Sequence, residues 1–264
     1  MKQSLSTVLL AASACLLGLP PLGGRDAAVV AAPAPVPAAA PALPRALTTA
    51  IDPPAASAAG VSPDVLRLAL GAIQCATASG DLDAPPTLTL IDYSRPSVEP
   101  RLWVFDLQTG ELLFKELVAH GRNTGENMAT RFSDALNSHQ SSIGLFRTAD
   151  TYMGSNGYSL RLDGLEPGFN GRARERAIVM HGAPYVNAAT TAAQGRLGRS
   201  WGCPALREAI ARDVIDTIQG GGVIFAYYPD PAWLAQSRFL GNCGNLGGVP
   251  MLVQREDLGP LVDR

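Results

Sequence analysis

Charged residues are scarce in this chain of 264 residues. They make up 17% of it, and 21 Lys and Arg against 23 Asp and Glu leave a net charge of −2. This balance excludes a broad basic surface that would bind nucleic acid by releasing counterions, so we expect no nucleic-acid partner. The chain has no heptad pattern, and we expect a monomer. An apolar share of 47% excludes disorder over the whole length.

Cysteine and histidine are also few, with four and three residues, and neither occurs at the spacing of a metal site. There is no Cys-x-x-Cys and no His-x-x-x-His, the short-range pairs that commonly hold zinc. We therefore expect no metal and no other cofactor.

Beyond its first twenty residues, the chain has no apolar run long enough to cross a membrane. The first run, Leu5 to Leu19 between Met1-Lys2 and Pro20-Pro21, is typical of a secretory signal peptide. We predict a signal peptide over residues 1–26 and export across the inner membrane to the periplasm. A simple membrane anchor is one alternative, and a lipoprotein anchor at Cys15 is another.

The rest of the chain divides by composition. Residues 27–60 are nearly all Ala, Pro and Val, which predicts a semi-rigid linker. Residues 61–240 are predicted to fold, and residues 241–264 are a Gly-rich tail to which the sequence assigns no role.

Short β-type runs dominate the folded region between two helical patterns. Ser62-Pro63-Asp64 predicts the start of one helix, and Pro204 is predicted to be the first residue of another that ends at Gly220. A short helix is predicted between Asp230 and Arg238. Strands crowded between helices, without regular alternation, favour a mainly antiparallel sheet. The predicted strands are 87–93, 101–107, 111–119, 143–148, 158–162, 177–180 and 223–228.

Removal of the signal peptide would leave Cys75, Cys203 and Cys243, which allow one disulfide and one free thiol. A Cys75–Cys243 pair is a hypothesis that leaves Cys203 free. The other two pairings are equally allowed by the count. In either of them Cys203 would be half of a disulfide. A further alternative is that Cys203 is free but buried and therefore an inert thiol.

Cys203 immediately precedes Pro204, so it is predicted to lie near a helix N-cap. A helix N-terminus carries about half a positive charge, which favours thiolate over thiol and lowers a cysteine pKa. The same geometry would aim the backbone amides of Gly202 and Cys203 at one point, as a developing oxyanion requires. Cys203 is therefore the candidate nucleophile.

A cysteine nucleophile needs a group that takes its proton and later returns it, and histidine suits this near neutral pH. His181 ends the apolar run 177–180 and precedes Gly182, so it is predicted at a strand end, where side chains enter clefts. His120 precedes Gly121 in a similar setting, and His139 lies in a polar loop. His181 is the preferred candidate.

Five arginines against one acid between residues 170 and 200 form a local basic cluster. A solvated loop face is one interpretation, and an anionic substrate is the other. Arg199 is the preferred carboxylate contact because it is four residues from Cys203 and because guanidinium pairs bidentately with carboxylates.

His181-Gly182, a loop and Ser200-Trp201-Gly202-Cys203 together resemble the signature of the YkuD-type L,D-transpeptidases, which is His-Gly, a spacer and Ser-His-Gly-Cys. The resemblance covers about residues 60–240 and extends to the murein L,D-transpeptidase catalytic domain branch. Trp201 stands where a second histidine is usual, and Pro204-Ala205-Leu206 replaces the usual Arg or Asn after the cysteine. The further matching segments are 118–127, 140–146, 159–165 and 195–206.

The resemblance implies a mainly β, β-rich α+β fold: a YkuD-like, barrel-like antiparallel sheet with two or three flanking helices. It implies that Cys203 is the nucleophile and His181 the general base and acid, with Gly182 holding the imidazole through its carbonyl. Ser200 belongs to the same motif, and Trp201, Gly202 and Cys203 would form the oxyanion hole.

The implied substrate is a peptidoglycan stem peptide, which is acylated onto cysteine at diaminopimelate with release of D-Ala. Transfer to a neighbouring stem amine gives a 3-3 cross-link, transfer to a lipoprotein lysine gives anchoring, and water gives trimming. Arg199, Arg196 and Tyr185 are the candidate substrate-binding residues. The alternatives are a hydrolytic L,D-carboxypeptidase, another Cys/His peptidase such as a sortase-like enzyme, or a non-catalytic peptidoglycan-binding module.

Overall fold

The structure is a computed structural model, and it describes residues 51–241. The predicted signal peptide, most of the predicted linker, Cys15, Cys243 and nearly all of the tail lie outside these residues. The elements are α1 (Pro53–Ala58), α2 (Pro63–Ala78), β1 (Thr87–Asp92), β2 (Leu102–Asp106), β3 (Leu112–Glu116), β4 (Gly144–Gly154), β5 (Gly157–Gly164), β6 (Val179–Gly182), α3 (Ala188–Gln194), β7 (Ala205–Leu206), α4 (Glu208–Ile218), β8 (Val223–Tyr227) and α5 (Pro231–Gln236).

The strands form one sheet in the order β3-β2-β1-β8-β4-β5-β6-β7. Only β1 with β8 and β6 with β7 pair in parallel, and the other neighbours are antiparallel. The prediction of a β-rich, mainly antiparallel fold is therefore confirmed, and each predicted strand is present with shifted ends.

The segment that follows β3 returns to the opposite edge of the sheet and nearly closes it. Ala119 N–H donates to Ala205 O at 2.9 Å, and Ala205 N–H donates back to Ala119 O at 3.3 Å. Gly121 forms a parallel bridge with Ser200. Ala205 in β7 therefore has a ladder partner on each side, Ala119 and His181.

The core lies where apolar strands and helices cover one another. All six residues of β1 are buried, as expected of a strand in the middle of a sheet. The helix α2 buries its apolar stripe against β1 and β8, and α4 packs on β6. Full burial of one Leu, Ile or Val contributes about 1.5–3 kcal/mol, so these contacts hold β6 and β7 in place.

Residues 51–60, which were assigned to the linker, pack on the sheet. Pro53 and Pro54 occupy the first turn of α1, where proline fits a helix, and the small side chain of Ala56 is buried. Trp103 Nε1–H donates to Ala59 O at 3.1 Å. The residues described contain five helices instead of two or three, because the short helices α1 and α3 carry too few apolar positions to show a pattern.

The prediction that a helix begins at Pro204 is wrong. Residues 205–206 form β7, and α4 begins only at Glu208 with Arg207 as its N-cap. Ladder partners on both sides of Ala205 outweigh the local helix-start signal of Pro204. No helix within residues 51–241 is long and apolar enough to cross a membrane.

Candidate active site

Cys203 and His181 come together through the parallel pairing of β6 and β7. His181 N–H donates to Pro204 O at 3.4 Å, and Ala183 N–H donates to Leu206 O at 2.9 Å. Two residues earlier on β6, Val179 N–H meets Cys203 Sγ at 3.5 Å. The sulfur thus takes the place of a backbone acceptor at the start of β7, beside the strand that carries His181.

The environment of Cys203 favours the thiol and not the thiolate. The residue is 8% exposed, and burial raises the pKa of its thiol above the ordinary value. The Val179 N–H and the charge of Arg176 oppose this rise with smaller effects. Because Cys203 is not at a helix N-terminus, the predicted lowering of its pKa by the helix dipole is wrong. The thiol lies 3.7 Å from Ala177 O, to which it donates.

The imidazole of His181 is held by the following residue. Its Nδ1 lies 2.8 Å from Gly182 O, which assigns the ring proton to Nδ1 and leaves a lone pair on Nε2. Burial lowers the pKa of His181, and the Gly182 carbonyl opposes this. Within residues 51–241, Nε2 makes no hydrogen bond to any group, Cys203 Sγ included. The two groups therefore rest as neutral thiol and neutral imidazole at pH 7.

The turn before Cys203 is fixed by two serine hydroxyls. Ser200 Oγ accepts from Gly202 N–H at 3.1 Å and donates to Cys203 O at 2.6 Å. Ser141 Oγ donates to Gly202 O at 3.0 Å. Since the C=O and N–H of a planar trans peptide point in opposite directions, the Ser141 contact directs Cys203 N–H away from Ser141.

Of the three predicted oxyanion donors, two are open. In the part of the chain that the structure describes, Trp201 N–H and Cys203 N–H donate to no protein acceptor. The third predicted donor, Gly202 N–H, already donates to Ser200 Oγ, so the structure does not leave it free for an oxyanion. Two unpaired amides on adjacent sides of a glycine can converge on one oxygen.

Position 202 requires glycine. Its φ is +123°, a conformation that L side chains rarely adopt, and a Cβ there would lie 2.8 Å from Gln140 O. A Cβ at Gly121 would lie 2.9 Å from Gly202 Cα. The two glycines allow the segment after β3 to pack directly against the Cys203 turn.

Arg176 is the guanidinium whose charge acts on Cys203. Its side chain is half-buried, burial lowers its pKa, and it in turn lowers the pKa of Cys203. The basic cluster contained this residue, but nothing local distinguished it. Arg176 donates to four groups of the segment 133–142: Ser133 O (2.7 Å), Ser142 Oγ (2.5 Å), Ser138 Oγ (3.0 Å) and Gln140 O (2.6 Å).

Arg199 and Arg196 share one carboxylate of the protein itself. Glu126 Oε1 lies 2.7 Å from Arg199 Nη1, and Oε2 lies 2.8 Å from Arg196 Nε. The two arginines lower the pKa of Glu126, and neither shifts the pKa of Cys203. The structure therefore pairs them with Glu126 and brings neither of them to the sulfur.

Tyr185 lies closer to the reactive group. Its side chain packs on Gly198, where a Cβ would come within 2.4 Å of Tyr185 Cβ. Burial, with a smaller contribution from Cys203, raises the pKa of Tyr185 to about 12. The phenol therefore remains a neutral hydrogen-bonding group near the cysteine.

A family comparison covers most of the described residues. The pattern of the L,D-transpeptidase catalytic domain matches residues 57–227. The chain belongs to the L,D-transpeptidase catalytic domain family. The resemblance identified from the motif residues is thereby confirmed, as is the YkuD-like fold. No curated protein sequence matches the chain.

Solved structures similar to this L,D-transpeptidase domain include three from bacteria. An L,D-transpeptidase from Mycobacterium smegmatis is 15% identical, with 54% of this chain and 59% of that chain covered and a TM-score of 0.35. The helical cell shape determining protein Pgp2 (K307A mutant) from Campylobacter jejuni is 12% identical, with 61% of this chain and 57% of that chain covered and a TM-score of 0.39. An L,D-transpeptidase (Yku) from Stackebrandtia nassauensis is 13% identical, with 62% of this chain and 68% of that chain covered and a TM-score of 0.34. This chain thus spans less than two thirds of the Mycobacterium and Campylobacter structures.

A buried polar layer lies behind the candidate active site. The sequence did not predict it. Arg101 Nη2 lies 2.8 Å from His120 Nδ1, and His120 Nε2 lies 3.2 Å from Gly125 O. Burial and the Arg101 charge lower the pKa of His120 to about 4. Burial raises the pKa of Tyr93 to about 12, and the neighbouring Ser141 side chain opposes this rise with a smaller effect. His120 thus faces this layer and supports the segment 118–125.

The described cysteines differ in state. Cys203 is a free thiol, and Cys75 is disulfide-bonded. Cys75 Sγ lies 3.6 Å from the carbonyl oxygen of Arg238, five residues before the predicted partner Cys243. The Cys75–Cys243 pair stays a prediction because Cys243 lies outside the described residues. Residues 51–241 contain no group of three or more His, Cys, Asp or Glu placed to hold a metal.

Proposed function

We propose that this chain is a peptidoglycan L,D-transpeptidase with Cys203 as its nucleophile. The substrate is a stem tetrapeptide, which is acylated at diaminopimelate with release of D-Ala and then transferred to a stem amine or to water. One observation carries the proposal. The Cys203 sulfur lies against β6, the strand that carries His181 with its free Nε2, and beside two unpaired backbone N–H groups.

The proposed acylation begins from the neutral pair. His181 Nε2 takes the thiol proton as Sγ attacks the diaminopimelate carbonyl carbon, and Sγ turns from Ala177 O toward the imidazole to do so. The carbonyl oxygen becomes an oxyanion that Cys203 N–H and Trp201 N–H stabilise. The D-Ala nitrogen then leaves with the proton from the imidazolium, and a thioester remains.

The second half reverses the proton movements. The acceptor amine or water loses a proton to Nε2 as it attacks the thioester, and the imidazolium returns a proton to the sulfur. An amine gives a 3-3 cross-link, and water gives a trimmed tripeptide. Tyr185 is the proposed substrate contact near Sγ, while Arg196 and Arg199 would need to exchange Glu126 for a substrate carboxylate.

The proposed setting is outside the cytoplasm. The apolar start over residues 1–26, proposed as a signal peptide, would bring the chain to the periplasm, where its substrate lies. Residues 27–50 would connect it to the catalytic domain, since residues 51–60 pack on the sheet with the predicted domain 61–240.

The test is turnover of defined muropeptides by the full chain, with and without an added amine acceptor, followed by mass spectrometry. Wild type should release D-Ala and form the acceptor adduct. Cys203→Ala should abolish both, and His181→Ala should reduce turnover by roughly 10²- to 10⁴-fold. Thr148→Val serves as control, since Thr148 lies in β4 outside this site and its Oγ1 donates to Ile218 O at 2.6 Å. Substantial D-Ala release by Cys203→Ala would refute the proposal.

A further inference from the structure

Trp201 is a large apolar side chain left in solvent two residues before the nucleophile. It is 69% exposed, whereas the other two tryptophans of the chain, Trp103 and Trp233, are fully buried. An indole normally contributes strongly to a core or an interface when covered, so an exposed one beside a reactive group indicates a contact surface.

One face of this indole is backed by a second ring. The His139 imidazole stacks on Trp201 with ring centroids 5.0 Å apart and planes inclined by 26°. We call this pair the Trp201–His139 platform. Because His139 covers one face of the indole, the stacking fixes the orientation of the Trp201 side chain and leaves its opposite face toward solvent.

The loop beneath the platform is built to hold His139 there. His139 has φ of +54° and Asn137 has φ of +56°, conformations that cost a non-glycine residue free energy. Asn123 N–H donates to His139 O at 3.2 Å. Arg176 fixes the residues on either side of His139, through Ser138 Oγ and Gln140 O.

The groups next to the platform are polar. Asn123 is exposed, and its Nδ2 donates to Ser138 O at 2.8 Å. Gln140 is half-buried on the other side of His139. A flat apolar face with amide and hydroxyl groups at its edge suits a sugar ring, whose C–H face is apolar and slightly positive and whose hydroxyls need partners. A lipid or an apolar side chain would be left facing polar groups.

We propose that the Trp201–His139 platform binds one pyranose ring of the glycan strand that carries the stem peptide. The inference rests on the proposed function and adds a glycan subsite to it. The position is consistent with this role, because only Gly202 separates Trp201 from the proposed nucleophile Cys203 in the chain.

The test uses the full chain and oligomers of N-acetylglucosamine, a glycan probe without peptide. Because Trp103 and Trp233 are buried, quenching of tryptophan fluorescence by acrylamide reports on Trp201. The oligomers should protect Trp201 saturably in wild type and in Cys203→Ala, and His139→Ala should weaken this protection by about 10-fold in apparent affinity. A sugar-free stem tetrapeptide should not protect it.

A kinetic arm removes the ring itself. In Trp201→Leu, the ratio of KM for a glycan-bearing tetrapeptide to KM for the sugar-free tetrapeptide should rise about 10-fold. In Trp201→Phe, which keeps an aromatic ring, the same ratio should rise less. No protection by the oligomers, equal protection by the free peptide, or an unchanged KM ratio would overturn the glycan subsite. Saturable sugar binding without any D-Ala release would instead refute the proposed function and leave the platform standing.

Discussion

Ser141 Oγ donates to the carbonyl oxygen of Gly202 at 3.0 Å, and this contact sets the direction of the Cys203 N–H. The same hydroxyl accepts from Gly121 N–H at 3.0 Å and lies beside the buried side chain of Tyr93. Ser141 is thus a positioning residue that joins the buried polar layer to the proposed oxyanion donor.

Ser141→Ala should lower kcat with little change in KM, because the Cys203 N–H loses its fixed orientation. Loss of an oxyanion donor costs about 10²–10³ in kcat, and we expect roughly 10-fold or more for its misorientation. The measurement is steady-state D-Ala release. Thr148→Val is the matched control, since it removes another buried hydroxyl that donates to a backbone carbonyl and accepts from a backbone N–H. If both variants lose kcat equally, Ser141 has only a structural role.

Alkylation of Cys203 by iodoacetamide should rise with pH through an apparent pKa above the ~8.5 of a free cysteine. Burial is the largest cause, because it disfavours the thiolate more than Val179 N–H and Arg176 favour it. Mass spectrometry of the peptide containing Cys203 at a series of pH values measures this. An apparent pKa below 7 would mean that the resting state at pH 7 is a thiolate.

Turnover should fall on the acid side with an apparent pKa below 6.5. Burial lowers the pKa of His181, so its imidazole stays neutral and able to accept a proton to lower pH than a free histidine does. The pH dependence of kcat/KM for D-Ala release measures this limb. An acid limb above pH 7 would contradict the neutral imidazole inferred for the free protein.

His120 should make the protein lose stability as the pH falls from about 6.5 to about 4. The folded pKa is about 4, below the unfolded value of 6.5, so in this window the unfolded chain binds a proton that the folded one does not. The stability lost by pH 4 is about 3 kcal/mol. Urea unfolding at several pH values should show a smaller loss for His120→Gln. An equal loss in both proteins would remove His120 as the cause.

Local patterns were sufficient to predict much of the fold. The apolar β-type runs became β1 to β6 and β8, and Ser62-Pro63 does start α2. Those signals act within one element, so they survive when the chain folds. Pro204 also gave a helix-start signal, but Ala205 finds ladder partners in Ala119 and His181, and such long-range pairing is not visible in a local window.

The site was predictable where the motif is contiguous. His181 and Cys203 were proposed from residue types and spacing, and Gly182, Ser200 and Trp201 from the family resemblance. Tyr93, Arg101 and Ser141 were not, because they come from segments 60 to 110 residues away and only the folded sheet brings them behind Gly202. Arg176 was part of a recognised basic cluster, but only the structure shows that its hydrogen bonds hold the loop beside Cys203.

The central claim is that substrate is transferred onto the sulfur of Cys203, and rapid acid quenching of a muropeptide reaction tests it most directly. Peptide mapping by mass spectrometry should find the stem tripeptide, the tetrapeptide less D-Ala, attached as a thioester to the fragment that contains Cys203. Continued D-Ala release with the acyl group on another residue, or with no acyl group on Cys203 at any quench time, would contradict the account.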